Sequence, residues 1–196
     1  MARNPSGPWE YGFSAGSSLA PDQFRPFRVS DPRGPIKFWH PAADDNGGGD
    51  YYPYAAWNAS KQSRADPTES WAIRPGEIAL EASNVGQYAI VRFVAPRQGR
   101  YRIKVRFAGV HFRLSSTDVH VLVGATSRFD AAVDGYGGDP SFHPIEGPSP
   151  RVAWAGAAVL ERGDVVTFAV GYGSNQTHFN DTTALRARVR WVGGGA

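Results

Sequence analysis

Tyr101-Arg-Ile-Lys-Val-Arg-Phe107 and Leu185-Arg-Ala-Arg-Val-Arg-Trp191 decide the fold class of this 196-residue chain. In the first stretch Tyr101, Ile103, Val105 and Phe107 alternate with Arg102, Lys104 and Arg106. In the second, apolar positions alternate with Arg186, Arg188 and Arg190. Successive side chains of a strand point to opposite faces, so a period of two marks a strand with one face on a core and one in water. Working outward, comparable runs occupy 87–95, 118–123, 128–133, 153–160 and 164–171. Turn-forming segments such as Glu161-Arg-Gly-Asp164 separate them. Short strands at this spacing predict an all-β chain folded as an antiparallel β-sandwich.

The chain divides by texture rather than by linker. Residues 1–84 are irregular and aromatic-rich, with short candidate strands at 9–13, 36–39, 54–57 and 70–73. Residues 85–196 are regular. A single β-sandwich domain over 1–196 is expected, since this length suits one core. Residues 41–50 read as a loop, with three consecutive glycines. The single helix candidate, 55–64, is short.

Composition closes off several classes. Cysteine is absent, so neither a disulfide framework nor thiol chemistry is available. Met1-Ala-Arg-Asn-Pro-Ser-Gly-Pro8 has no apolar run and does not read as a signal peptide. No segment approaches ~20 apolar residues, so no membrane partner is expected. The net charge of +3 is weak for a nucleic-acid binder, and none is expected as a partner. There is no Gly-x-Ser-x-Gly elbow and no phosphate-binding loop.

Motif order carries a resemblance. Asn4-Pro5 and Trp9-Glu-Tyr-Gly12 come first. Val91-Arg-Phe-Val-Ala-Pro-Arg-Gln-Gly-Arg-Tyr101 follows, then Ser116-Thr-Asp-Val-His-Val-Leu-Val-Gly124 and Leu160-Glu-Arg-Gly-Asp-Val-Val-Thr-Phe168. Asn180-Asp-Thr-Thr-Ala-Leu185 comes last. This order resembles bacterial extracellular jelly-roll modules, carbohydrate-binding modules in particular. The resemblance implies a jelly-roll-like sandwich, an accessory binding role in a secreted or surface protein, and one structural Ca²⁺. In calcium-binding jelly rolls an Asp just before the final strand is often a ligand. Asp181 is the matching position here, and Glu10 is a weaker second candidate. Hard cations do favour carboxylates from irregular loops. The alternative at Asp181 is an Asx-turn closing on its own backbone. Asp118 and His120, two apart on one strand and beside His111, are a further possible metal set.

Aromatic side chains are the expected working parts. Trp39, Tyr51, Tyr52, Tyr54, Trp57 and Trp71 lie near predicted loops, where ring faces can stack on sugar C–H faces. The alternative is that they cover an edge of the sandwich. Trp154 and Trp191 read as core. The basic stripes, with Arg102, Arg106 and Arg188, serve either solubility or an acidic glycan, provided that both stripes share one sheet face. The expected function is non-catalytic polysaccharide binding, with an acidic chain as one possible ligand. The alternatives are an adhesive module without a glycan ligand and a small polysaccharide-active enzyme.

Overall fold

The computed structural model describes residues 3–45 and 51–194. The glycine-rich end of the 41–50 loop lies outside the described residues. In chain order the strands are β1 (Trp9–Ser14), β2 (Phe24–Pro26), β3 (Val29–Arg33), β4 (Ile36–His40), β5 (Tyr54–Asn58), β6 (Arg64–Ala65), β7 (Ala72–Ile73) and β8 (Ile78–Glu81). They continue with β9 (Ala89–Val94), β10 (Gly99–Gly109), β11 (Ser115–Val123), β12 (Thr126–Tyr136), β13 (Glu146–Ser149), β14 (Arg151–Leu160), β15 (Val165–Val170) and β16 (Thr183–Gly193). One seven-stranded sheet has the order β13-β12-β11-β15-β9-β1-β2. The other runs β14-β10-β16-β8-β5-β4-β3, and β6-β7 form a small ribbon. The chain is an all-β antiparallel sandwich.

The alternation seen in sequence is the alternation observed. Along β10 the buried side chains are Tyr101, Ile103, Val105 and Phe107. Their cross-strand partners on β16 and β14 are apolar too: Val105 faces Ala187 and Trp154, and Phe107 faces Leu185 and Val152. The other sheet contributes Tyr11, Val91, Phe168 and Val121, which stand in one lateral row. Together these side chains form the main core.

The irregular-looking first part supplies strands to both sheets, because β1 and β2 join one and β3, β4, β5 and β8 the other. Residues 55–58 belong to β5, not to a helix. The reason is burial on both sides. Ala55 faces the main core, while Tyr54 and Ala56 face a second core on the outer side of the same sheet. A strand buried on both faces shows no alternation, so its period is lost from the sequence. The second core packs Phe38, Tyr54, Ala56 and Ala79 against Trp71 and Ile73, which the 59–77 excursion folds back over the sheet.

Candidate functional site

Strand β8 places a carboxylate where the second core ends. Ile78 and Leu80 point inward, so Ala79 and Glu81 point out, and Glu81 lies opposite Tyr54 of β5. Glu81 Oε2 accepts a hydrogen bond from the Tyr54 hydroxyl at 2.7 Å and another from the Thr182 hydroxyl. Burial pushes the Glu81 pKa up to about 7 despite both bonds, and nearby Asp181 and Asp66 push it the same way. Burial also holds the Tyr54 phenol well above its usual value.

Glu81 opens onto a cavity of about 220 Å³ whose walls include Tyr51, Tyr52, Tyr54, Trp71 and Phe179. The rings form one connected cluster. Tyr51, Tyr52 and Tyr54 stand 5.4–5.8 Å apart centre to centre, and Tyr54 stacks on Trp71 at 6.2 Å. The Arg33 guanidinium caps Tyr51 from 4.5 Å, a cation–π contact.

Asp66 fixes the turn that delivers Trp71. Its carboxylate accepts from the backbone N–H groups of Thr68 (3.0 Å), Ser70 (2.6 Å) and Trp71 (3.1 Å), and from the Thr68 hydroxyl. His111 forms an isolated bridge with Trp71 and lines the same cavity. Its Nδ1 accepts the Arg113 N–H at 3.1 Å, which leaves the proton on Nε2. Burial lowers its pKa to about 4, so the ring is a neutral donor at physiological pH. Asn180 adds an amide to the lining. The cavity therefore offers ring faces, donors and acceptors together.

Of the aromatic residues singled out from sequence, Tyr51, Tyr52, Tyr54 and Trp71 meet here. Trp39 does not, since it is buried in the main core. Trp57 is half-buried on β5 and shares the inward face with Ala55. Phe179 and Glu81 are site residues that sequence reasoning missed. The signal for Glu81 was a carboxylate closing the apolar run Ile78-Ala-Leu-Glu81. Arg102, Arg106 and Arg188 lie elsewhere, on the open face of β10 and β16.

The two calcium candidates are not brought together. Glu10 pairs with Arg92 at 2.6 Å and lies in the lateral row that passes through Thr167 to Leu122. Asp181 instead anchors to Ser116, six residues from Leu122 along β11 and so about 20 Å away. Nor does Asp181 form an Asx-turn. Its Oδ1 accepts the Ser116 N–H at 2.7 Å and the Ser116 hydroxyl at 3.1 Å, tying the last loop to β11. Its buried Oδ2 accepts no hydrogen bond. Burial raises the Asp181 pKa to about 7 against the two Ser116 bonds. Among the described residues no three His, Asp or Glu side chains converge as metal ligands would. Asp181 supplies one carboxylate with half its acceptors spent, so most of the six to eight oxygens that calcium requires would have to come from other groups.

His111 and His120 are likewise separate. His120 lies on the outer face of the other sheet, in a hollow of about 440 Å³. Its Nε2 and Nδ1 meet Asp118 and Asp130, each at 2.6 Å. Burial alone would lower the His120 pKa, but the hydrogen bonds and charges of the two aspartates outweigh it and raise it. Both ring nitrogens are engaged by carboxylates, an arrangement that favours the protonated imidazolium.

No protein-family model matches the chain, and no curated protein matches it. Solved structures similar to it include a family 35 carbohydrate-binding module from Clostridium thermocellum. That pair shares 16% identity over 59% of this chain and 78% of the module, with a TM-score of 0.35. CBM51 from Clostridium perfringens, in complex with methyl-galactose, shares 10% identity over 82% of this chain and 91% of that one, with a TM-score of 0.38. Xyl-CBM35, in complex with a glucuronic acid-containing disaccharide, shares 12% identity over 72% and 99%, with a TM-score of 0.35. What those modules bind is a property of those modules.

Proposed function

We propose that the protein binds carbohydrate at the cavity over β5 and β8, and that the cavity takes a single sugar ring. The observation supporting this is the composition of its wall. A pyranose has an apolar C–H face and a rim of hydroxyls that both donate and accept. Tyr52, Trp71 and Phe179 offer ring faces, the His111 Nε2–H and the Asn180 amide offer donors, and Glu81 offers an acceptor. At about 220 Å³ the cavity is below the range of pockets that enclose drug-sized ligands, which favours one ring of a chain over a folded oligosaccharide.

Glu81, with its pKa near 7, also has the property of a general acid in glycoside cleavage. Its neighbour Asp66 is committed to four hydrogen bonds within its own turn, which favours binding over catalysis.

Calorimetric titration with methyl glycosides of hexoses and pentoses tests the proposal. Phe179→Ala removes an exposed ring and should leave the melting temperature unchanged. It should weaken binding on the order of tenfold, the equivalent of about 1.4 kcal/mol. Heat signals unaffected by Phe179→Ala and by Tyr52→Ala would move the sugar away from this cavity. New reducing ends on prolonged incubation would replace the binding role by catalysis.

A further inference from the structure

The two basic stripes read from the sequence lie side by side. Strands β10 and β16 are paired so that Arg102 faces Arg190, Lys104 faces Arg188 and Arg106 faces Arg186. The result is a ladder of three like-charge rungs on the solvent face of one sheet. Successive rungs are about 7 Å apart, two residues along a strand. Like charges directly opposite each other destabilise a sheet, yet this sheet carries three such pairs in succession. Among the described residues the one carboxylate bridged to any of the six cations is Glu77, which Arg106 reaches at 3.1 Å at one end of the ladder.

The strand beyond the ladder is bare. On β14 the residues opposite Arg102, Lys104 and Arg106 are Ala157, Ala155 and Ala153, all exposed. This makes a shelf of methyl groups along one side of the cations, with no bulky side chain to block a chain lying parallel to the strands.

We propose that this face is a second binding surface, and that it takes a linear polysaccharide bearing carboxylates. The assignment rests on charge complementarity and on side-chain chemistry. Five of the six cations are arginines. A guanidinium is a planar fork that matches a carboxylate with two parallel hydrogen bonds, which an ammonium cannot do. Among the described residues no aromatic ring stands within the ladder or on its alanine shelf, so bases of a single-stranded nucleic acid would find nothing to stack on. The surface stands on different residues from the sugar cavity and does not depend on it.

Affinity electrophoresis in gels containing alginate, dextran sulfate, neutral dextran or single-stranded DNA tests the proposal, with the protein compared to the triple variant Arg102→Gln/Lys104→Gln/Arg188→Gln. Alginate should retard the wild type at low ionic strength. Retardation should fade between about 0.05 and about 0.5 M salt, as the Debye length contracts. The triple variant should bind alginate at least on the order of tenfold more weakly. Its melting temperature should hold or rise, because repulsion within the ladder is relieved. Its response to methyl glycosides should be unchanged, which separates this surface from the cavity. Three results would overturn the proposal: equal retardation by neutral dextran, tighter binding of DNA or dextran sulfate than of alginate at matched salt, or undiminished alginate binding by a folded triple variant.

Discussion

Phe107→Ala is expected to lower the stability of the protein by about 3–5 kcal/mol, the cost of emptying a fully buried aromatic site. Phe107 is on the inward face of β10, with no exposed surface. Val152 stands on one side of it and Leu185 on the other, and both are anchored in strands that pair along much of their length with β10. Such a site collapses poorly, so much of the volume would remain as a cavity. Urea unfolding of the variant checks this. The midpoint should fall with the slope unchanged, which is the sign of lost stability rather than altered compactness. A loss below ~1 kcal/mol would mean that the inward face of β10 has been misassigned, against the ordinary range for such sites.

The second large effect is on pH dependence. Glu81 rises from an ordinary 4.5 to about 7, and Asp181 from 3.8 to about 7, both chiefly through burial. A carboxylate whose folded pKa exceeds its unfolded value binds its proton more tightly when folded. Its contribution is complete below the unfolded value and is lost as pH rises through the folded one. Stability should therefore decline between roughly pH 4 and pH 8. At about 1.4 kcal/mol per pH unit for each group, the two together amount to several kcal/mol. His120 adds in the same direction above its ordinary value, since its raised pKa means that its proton also favours the folded state. Thermal melts at pH 5 and pH 8 measure the slope. Glu81→Gln and Asp181→Asn should each flatten it, because a neutral amide has no proton to lose. EDTA should leave the wild-type melt unchanged. A chelator-sensitive melt would instead restore the calcium assignment at Asp181, and a flat pH profile would remove the buried-carboxylate account.

Much of the regular half was legible because alternation is a local property of the backbone. The alternating stretches 101–107, 118–123 and 185–191 lie within the strands Gly99–Gly109, Ser115–Val123 and Thr183–Gly193. The aromatic loop was legible in part. Tyr51, Tyr52 and Tyr54 do line a cavity, but Trp39 does not. Nothing in the local pattern distinguishes the two cases. Trp39 and Phe38 are adjacent on β4, and their opposite directions carry one into the main core and the other into the second.

By itself, the sequence determined the all-β class, from short strands spaced by turn signals, and the inward set on β10 and the cations that face water, from a period of two within a single strand. The tertiary structure decided everything that depends on which strands become neighbours. Pairing β10 with β16 turned two separate basic stripes into one ladder. Folding 59–77 back over β5 and β8 closed a cavity around Glu81, and residues as distant as Tyr54 and Thr182 came to share its carboxylate. The raised pKa values belong to the same category. A carboxyl group's ordinary value is intrinsic to the residue, but its shift measures the water taken away from it, and that is settled only when distant parts of the chain pack together.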